Sequence, residues 1–208
     1  MNLIDKNIYN EFTLLPEDTS GWNGNSEVFV KLITEIKPKT IIEVGSWKGQ
    51  SAINMGKATK ELGLDTTIHC VDTWLGAIEF WSKLKATEER NLLLRHGYPQ
   101  IYYQFLSNVI HNGLQDTILP FPNTSENGFR YFKDIKMTAD LIYIDASHEE
   151  EDVYKDVNNF FTLLNNGGVI FGDDYFSWVG VRTSIDRFVK EQNLTLEILE
   201  NNFWVIKK

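Results

Sequence analysis

The chain has 208 residues, 42% of them hydrophobic and 13% aromatic, which is enough for one domain with a substantial core and excludes disorder as the dominant state. Lysine and arginine number 20 and aspartate and glutamate 29, so the formal net charge is −9. This acidic balance argues against a nucleic-acid partner, because nucleic acids are held mainly by basic residues that neutralise phosphates.

We expect neither export nor membrane insertion from the sequence. Its single cysteine, Cys70, cannot form an internal disulfide. The opening residues MNLIDKNIYNEF lack the apolar core of a secretory signal, and no run approaches the roughly 20 apolar residues of a membrane span. We therefore expect a cytoplasmic protein without a membrane partner. Whether it forms a homo-oligomer is left open by the sequence.

Short apolar runs alternate with longer segments of helical spacing, a pattern typical of β-α units around a parallel sheet. We expect residues 1–25 to form an arm and residues 26–208 a single domain with an insertion at about 76–113. The last two runs are close enough for a hairpin, so one of them is antiparallel to the rest. The fold class is therefore α/β, a doubly wound sheet with a terminal antiparallel hairpin strand. The predicted strands are Thr40–Gly45, Thr67–Asp72, Thr117–Pro122, Asp140–Asp145, Val169–Asp173, Leu194–Leu199 and Phe203–Lys207.

The helix after the fourth strand has the clearest pattern. Apolar residues from Val153 to Leu164 recur at helical spacing behind an acidic first turn, where the helix dipole favours negative charge. Gly167 and Gly168 are expected to end this helix.

The first candidate site is the turn EVGSWKGQS, residues Glu43–Ser51, which follows the first strand and opens a helix. Ligands bind at such junctions in open α/β sheets, because glycine allows close approach of the backbone and the helix amides point at the ligand. Its spacing differs from the three-glycine turn of dinucleotide enzymes and from a P-loop. The structural alternative is a tight turn with no ligand.

A second group of polar residues follows the next two strands along the same predicted edge. Asp72 can accept hydrogen bonds from a ribose diol, and the indole of Trp74 offers a flat face for a purine. Thr124 and Ser125 can bond the edge of an adenine. These residues also have structural alternatives, a strand-ending acid for Asp72 and helix capping for Thr124 and Ser125. Together they favour a nucleoside site.

A third group follows the fourth and fifth predicted strands. Asp145, Asp173 and Asp174 would share one rim, since adjacent parallel strands lie about 4.8 Å apart. A divalent cation such as magnesium relieves the repulsion among three carboxylates. His148 on the same rim is a candidate general base or an orienting partner for Asp145. The alternative is that Asp145 caps a helix while the other two acids simply end a strand.

These motifs resemble a known family. The residues that carry the resemblance are EVGSWKGQSA, VDTWLG, YIDASHEEEDVYKDV and NNGGVIFGDDY. They are similar to class I S-adenosylmethionine-dependent methyltransferases, most of all to the cation-dependent O-methyltransferases of the catechol, caffeoyl-CoA and macrolide-sugar types. The resemblance runs from about Gly21 to the final hairpin. It implies a Rossmann-like sheet of seven strands and a single methyltransferase domain.

The resemblance also implies the two cofactors and the residues that hold them. The cofactor-binding residues for S-adenosylmethionine are Glu43, Gly45 and Ser51 at the methionine portion, Asp72 at the ribose, and Trp74 and Ser125 at the adenine. The ligands it implies for Mg²⁺ or another divalent cation are Asp145, Asp173 and Asp174, with Asp145 or His148 as the catalytic proton acceptor.

The activity so implied is O-methylation of a small-molecule hydroxyl, on a sugar or a catechol-like diol, assisted by magnesium. Three alternatives stay open: a metal-free methyltransferase, a non-catalytic nucleoside-binding module and an NAD-dependent oxidoreductase. The oxidoreductase requires a three-glycine turn, which the chain does not have.

Overall fold

In the computed structural model, which describes residues 6–10, 13–82, 91–200 and 202–208, the chain forms one mixed sheet between two layers of helices. The described residues contribute seven strands in the order β3-β2-β1-β4-β5-β7-β6. Strand β7 is antiparallel to both of its neighbours, β5 and β6, and the other strand pairs among the described residues are parallel. The predicted fold is therefore confirmed, including the reversed strand of the hairpin. The strands are β1 Thr40–Val44, β2 Thr67–Asp72, β3 Ile118–Pro122, β4 Ala139–Ile144, β5 Leu164–Gly172, β6 Leu196–Leu199 and β7 Phe203–Lys207.

Helices cover both faces of the sheet. Apart from a short 3-10 helix at Lys6–Tyr9, the helices are α1 Glu27–Ile36, α2 Gln50–Glu61, α3 Ile78–Ser82, α4 Ile101–His111, α5 Ser125–Asp134, α6 Glu150–Phe161 and α7 Val179–Gln192. One hydrophobic cluster joins α1, α2 and α4 to the sheet, and a second joins α5, α6 and α7 to its other face. Within the described segments, no helix combines the length and the apolar character needed to cross a membrane.

Strand β4 shows why the central strands appear as continuous apolar runs. Leu141 and Tyr143 belong to the first cluster, and Ile142 and Ile144 belong to the second. Because the sheet is buried on both faces, apolar side chains are required on both sides of the strand. The carboxyl end of such a strand is where the chain first reaches solvent, so the polar residues that follow it meet at one edge.

The end of α6 differs from the sequence prediction. The helix ends at Phe161, and Leu164 already pairs with Ala139 as the first residue of β5. Gly167 and Gly168 lie inside β5, where the register with β4 shifts. A Cβ on Gly168 would lie 2.8 Å from the carbonyl oxygen of Asp140, so the glycine permits a close backbone approach at this irregularity. The glycine pair marks a bulge, not a helix end.

The segment 13–24, here called the strap, lies against α4 and the start of α2. The amide of Leu15 donates to Ser107 Oγ at 3.0 Å, and the amide of Asp18 donates to Asn108 Oδ1 at 3.0 Å. The ammonium of Lys48 is 1% exposed and lies 2.7 Å from an oxygen of Asp18. These bonds fix the strap, whose last residues border the site described next. The domain limits at 25 and 26 remain a prediction.

Candidate functional site

A large cleft opens at the carboxyl ends of the central strands. Its volume is about 840 Å³, within the range of small-molecule and cofactor sites. The glycine turn after β1 and the residues that end β2 and β3 line one half. The residues after β4 and β5 line the other half, and the strap closes one side. The sequence prediction that these strand ends meet at one edge is confirmed.

The glycine loop, residues 45–49, requires glycine at both of its ends. Gly45 has φ +88°, and a Cβ there would lie 2.1 Å from the carbonyl oxygen of Asp145. Gly49 has φ +89°, and its Cβ would lie 2.9 Å from the ring of Phe105. Both the backbone conformation and the contacts exclude a side chain. Gly45 therefore lets the loop cross directly over the end of β4 at the floor of the cleft.

Asp72 braces this loop from the end of β2. Its carboxylate accepts hydrogen bonds from the amides of Ser46 at 2.9 Å and Trp47 at 2.8 Å, and from the amide of Trp74 at 2.7 Å. Burial raises the pKa of Asp72, and these amide bonds oppose that effect. The side chain is half-buried and lines the cleft, so it both holds the loop and remains accessible from the cleft.

Glu43 lies underneath the same loop and outside the cleft. Its fully buried carboxylate accepts hydrogen bonds from the hydroxyls of Ser46 and Ser51. Burial is the largest cause that raises the pKa of Glu43 from 4.5 to about 7. Gly45 and Ser51 line the cleft, as predicted, whereas Glu43 does not. Glu43 is therefore a positioning residue that orients Ser46 in the glycine loop and Ser51 at the start of α2.

The structure does not bring Trp74 to the cleft. Its indole is 2% exposed, packs against Tyr102 and Phe105, and donates a hydrogen bond to the carbonyl oxygen of Trp47 at 2.8 Å. The turn after β2 directs this side chain into the core under α4. The aromatic residues that line this part of the cleft are Trp22, Trp47 and Phe80.

Thr124 and Ser125 follow β3, and both line the cleft. Thr124 is the N-cap of α5, where its hydroxyl accepts from the amide of Asn127 at 3.2 Å, so the capping alternative is confirmed for this residue. Ser125 lines the cleft and its hydroxyl is hydrogen bonded to Asp156 of α6. Sequence reasoning missed Asp156. The available signal was an acid on the buried face of the helix, between Val153 and Phe160.

Beyond β4 and β5, acidic residues and a histidine crowd one rim. Among the described residues, the carboxylate oxygens of Asp145 and Asp174 and a ring nitrogen of His148 lie within 4.8 Å of one another. Such a group could hold a metal ion. The Nε2 atom of His148 is 3.1 Å from Asp174 Oδ2, and its ring stacks on Trp178 at 4.3 Å. Tyr143 donates its hydroxyl hydrogen to Asp145 at 2.9 Å. Burial, followed by the charges of Asp174 and Asp173, raises the pKa of Asp145.

Asp173 lines the cleft but is not a member of this group. Its carboxylate is 4% exposed and accepts from the side-chain amides of Asn23 at 2.8 Å and Asn202 at 2.6 Å, and from the Asp174 amide at 2.7 Å. The structure thus gathers two of the three predicted carboxylate ligands, and His148 in place of Asp173. No local signal revealed the asparagines, because Asn23 lies 150 positions before Asp173.

A family model described as a methyltransferase domain matches residues 42–175, which is more than half of the chain. Several solved structures share the fold at identities too low to show more than the fold. An O-methyltransferase from Bacillus cereus in complex with SAH has a TM-score of 0.59 and 16% identity, with 94% of this chain and 84% of that chain covered. A putative O-methyltransferase from Klebsiella pneumoniae has a TM-score of 0.64 and 16% identity, with coverage of 93% and 83%.

The O-methyltransferase TomG from Streptomyces achromogenes, involved in tomaymycin synthesis and in complex with SAM, has a TM-score of 0.62 and 12% identity, with coverage of 100% and 93%. No curated protein matches the chain significantly. The family model confirms the enzyme class expected from the motifs. The chain belongs to the methyltransferase domain family.

Proposed function

We propose that this methyltransferase transfers a methyl group from S-adenosylmethionine to a hydroxyl of a small molecule that carries a diol, such as a sugar or a catechol. The proposal rests on the composition of the cleft. One half contains the glycine loop, which Asp72 holds in place, and the other half contains His148 beside acidic residues. The proposal is supported by two solved structures with this fold that are described as O-methyltransferases, one with SAH and one with SAM bound.

The cofactor half suits each part of S-adenosylmethionine. Asp72 offers carboxylate oxygens to the ribose hydroxyls, while Ser51 and the first turn of α2 suit the methionine carboxylate, since a helix N-terminus favours an anion. The ammonium and the sulfonium are cations, and the acidic walls of the cleft complement them. Ser125 lies further along the edge, at the adenine end.

Methyl transfer is a displacement at the methyl carbon. The acceptor oxygen forms a bond to this carbon, the carbon–sulfur bond breaks, and sulfur keeps the electron pair. The hydroxyl proton passes to the imidazole of His148. Asp174 stabilises the imidazolium that forms, and stacking on Trp178 fixes the plane of the ring. The main further contribution of the cleft to the rate is to align the methyl donor with the acceptor hydroxyl.

The residues of the rim fit a divalent cation. Two carboxylate oxygens, from Asp145 and Asp174, suit magnesium, and the nearby imidazole also suits transition metals. A bound cation would lower the pKa of the acceptor hydroxyl and orient it. We assign Asp145 and Asp174 to this role. Asp173 instead holds Asn202 and Asn23, the second of which lines the cleft.

The test is transfer of a radiolabelled methyl group from S-adenosylmethionine to a panel of catechols and sugar diols, with magnesium and with a chelator. We expect product that requires magnesium and is lost in Asp174→Ala, with the exposed Glu197→Gln as a matched control. Transfer that is insensitive to the chelator would identify a metal-free methyltransferase. Cofactor binding with no product across the panel would instead favour a non-catalytic nucleoside-binding module.

A further inference from the structure

The turn between β6 and β7 contacts the acidic rim through Asn202. The loop from β5 to α7, residues 173–178 and here called the rim loop, carries Asp174 and Trp178. Asn202 is half-buried and lies 29 positions after Asp173, so only the fold brings it to this loop. In the proposed chemistry it serves only as a donor to Asp173, yet it is bonded to most of the rim loop.

Asn202 uses its side chain and its backbone to hold the rim loop. The side-chain NH₂ group donates to Asp173 Oδ1 at 2.6 Å. The side-chain oxygen accepts from the amide of Phe176 at 3.1 Å and from the hydroxyl of Ser177 at 3.4 Å. The main-chain carbonyl oxygen accepts from the amide of Tyr175 at 3.1 Å. One residue of the hairpin is therefore bonded to four of the six residues of the rim loop.

The other two residues of the rim loop contact His148. Asp174 Oδ2 lies 3.1 Å from His148 Nε2, and the ring of Trp178 stacks on the imidazole at 4.3 Å. Asp174 has φ +68°, a left-handed conformation that is costly outside glycine and persists only where neighbouring contacts hold it. The Asp174 amide donates at 2.7 Å to Asp173 Oδ1, the same oxygen that accepts from Asn202. The conformation beside His148 therefore depends on a carboxylate that Asn202 holds.

We propose that Asn202 is a positioning residue for methyl transfer, which holds the rim loop in the conformation that places Asp174 and Trp178 against His148. This inference rests on the proposed function, because that function gives His148 the proton of the acceptor hydroxyl. Asn202 does not line the cleft, so it acts through the loop. A proton acceptor must lie within hydrogen-bonding distance of the acceptor hydroxyl, and a misplacement of about 1 Å costs about 100-fold in rate.

Two substitutions of Asn202 test this role. Asn202→Asp keeps the size of the side chain and an acceptor for the Phe176 amide, but it replaces the donor to Asp173 with a second carboxylate. Asn202→Ala removes all the side-chain bonds. The matched control is Asn166→Asp, the same change at an exposed position near the amino end of β5, at the opposite end of that strand from the rim.

The first measurement is the NMR resonance of the His148 ring protons, with all spectra at one pH and the assignment taken from its loss in His148→Gln. Stacking on the indole of Trp178 shifts these protons upfield through the ring current. We expect both Asn202 variants to move the resonance downfield, toward its position in Trp178→Ala. Asn166→Asp should leave it in place. This measurement needs neither the cofactor nor an acceptor.

The second measurement separates rate from binding. With an acceptor found in the panel, both Asn202 variants should lower kcat about 100-fold, while the affinity for S-adenosylhomocysteine in calorimetry stays within about twofold of the wild type. A purely structural role would lower stability and leave kcat of the folded protein unchanged. That result, or a loss of cofactor affinity as large as the loss of rate, overturns the positioning role.

The outcomes distinguish this inference from the proposed function. An unmoved His148 resonance in a folded Asn202→Asp protein overturns the role of Asn202 alone. Failure of the wild type to bind S-adenosylhomocysteine overturns the proposed cofactor. If neither variant folds, amide hydrogen exchange in the wild type decides, because Asn202 accepts from the amides of Tyr175 and Phe176. Protection of both amides supports the role, and exchange as fast as in an unfolded peptide overturns it.

Discussion

The two halves of the cleft treat their acids differently. In the half formed by β1, β2 and β3, the carboxylates of Glu43 and Asp72 are satisfied by the chain itself, through two serine hydroxyls and three backbone amides. In the half formed by β4 and β5, Asp173 is also satisfied by the chain, but Asp145 and Asp174 approach each other with one phenol and one imidazole for partners.

This difference assigns separate tasks to the two halves. Groups whose hydrogen bonds are already made hold their geometry before a ligand arrives, as a binding platform requires. Like charges held close together respond to a proton or a cation, as a reacting centre requires. We therefore expect substitutions in the first half to change cofactor affinity or loop stability, and substitutions at the rim to change the rate of transfer.

The largest effect should follow from His148→Ala. Loss of a general base costs about 10²- to 10⁴-fold in rate, while the affinity for S-adenosylhomocysteine should stay within about twofold of the wild type. Steady-state kinetics at saturating cofactor, with an acceptor found in the panel, measures the first quantity, and calorimetry measures the second. A loss of affinity as large as the loss of rate would show that the two halves do not act separately.

Asp72→Ala should produce the opposite result. It removes the acceptor of two loop amides and of the Trp74 amide, and the proposed partner of the ribose, so we expect the affinity for S-adenosylhomocysteine to fall about 100-fold. Asp174→Ala serves as the comparison in the same titration, because it removes a rim acid without touching the loop. Similar affinities for these two variants would remove the distinction between platform and rim.

Glu43→Gln should reveal itself in the pH dependence of stability. The folded pKa of about 7 lies above the ordinary 4.5, so the folded state binds this proton more tightly than the unfolded state. The contribution of Glu43 to the free energy of unfolding is therefore present below pH 4.5 and is lost as the pH rises through 7. Between pH 5 and pH 8 the wild type should lose roughly 2–3 kcal/mol relative to Glu43→Gln in chemical denaturation. A constant difference between the two proteins would disprove the assigned pKa.

Thr124→Ala should have the smallest effect. It removes the hydroxyl that caps α5, which costs about 1 kcal/mol of unfolding free energy, and should leave cofactor affinity unchanged. Chemical denaturation and calorimetry measure the two quantities. A drop in affinity would show that Thr124, which lines the cleft, also contacts the cofactor.

Much of the fold followed from the sequence because each central strand is buried on both faces and each helix on one, so hydrophobic periodicity reports directly on structure. The exception is the stretch from Leu164 to Gly168. There the glycines serve a close approach of β5 to β4, and a pattern that looks like a helix end is a strand irregularity.

The sequence predicted those parts of the site that depend only on where the strands end. Parallel strands finish at one edge, so Asp72, Asp145 and Asp174 were expected in one cleft. The direction of individual side chains could not be predicted from the strand ends. Glu43 and Trp74 both adjoin the loop, yet their side chains turn toward the core. The donors to Asp173 come from the strap and the final hairpin, and no local pattern connects such distant segments.

The most direct test of the cleft's identity is equilibrium binding of two ligands to the wild-type protein. Calorimetry with S-adenosylhomocysteine should give saturable binding at one site per chain. NADH, at the same concentrations, should give none, because the glycine loop lacks the three-glycine spacing of dinucleotide enzymes. Saturable binding of NADH without binding of S-adenosylhomocysteine would refute the assignment of this cleft to S-adenosylmethionine.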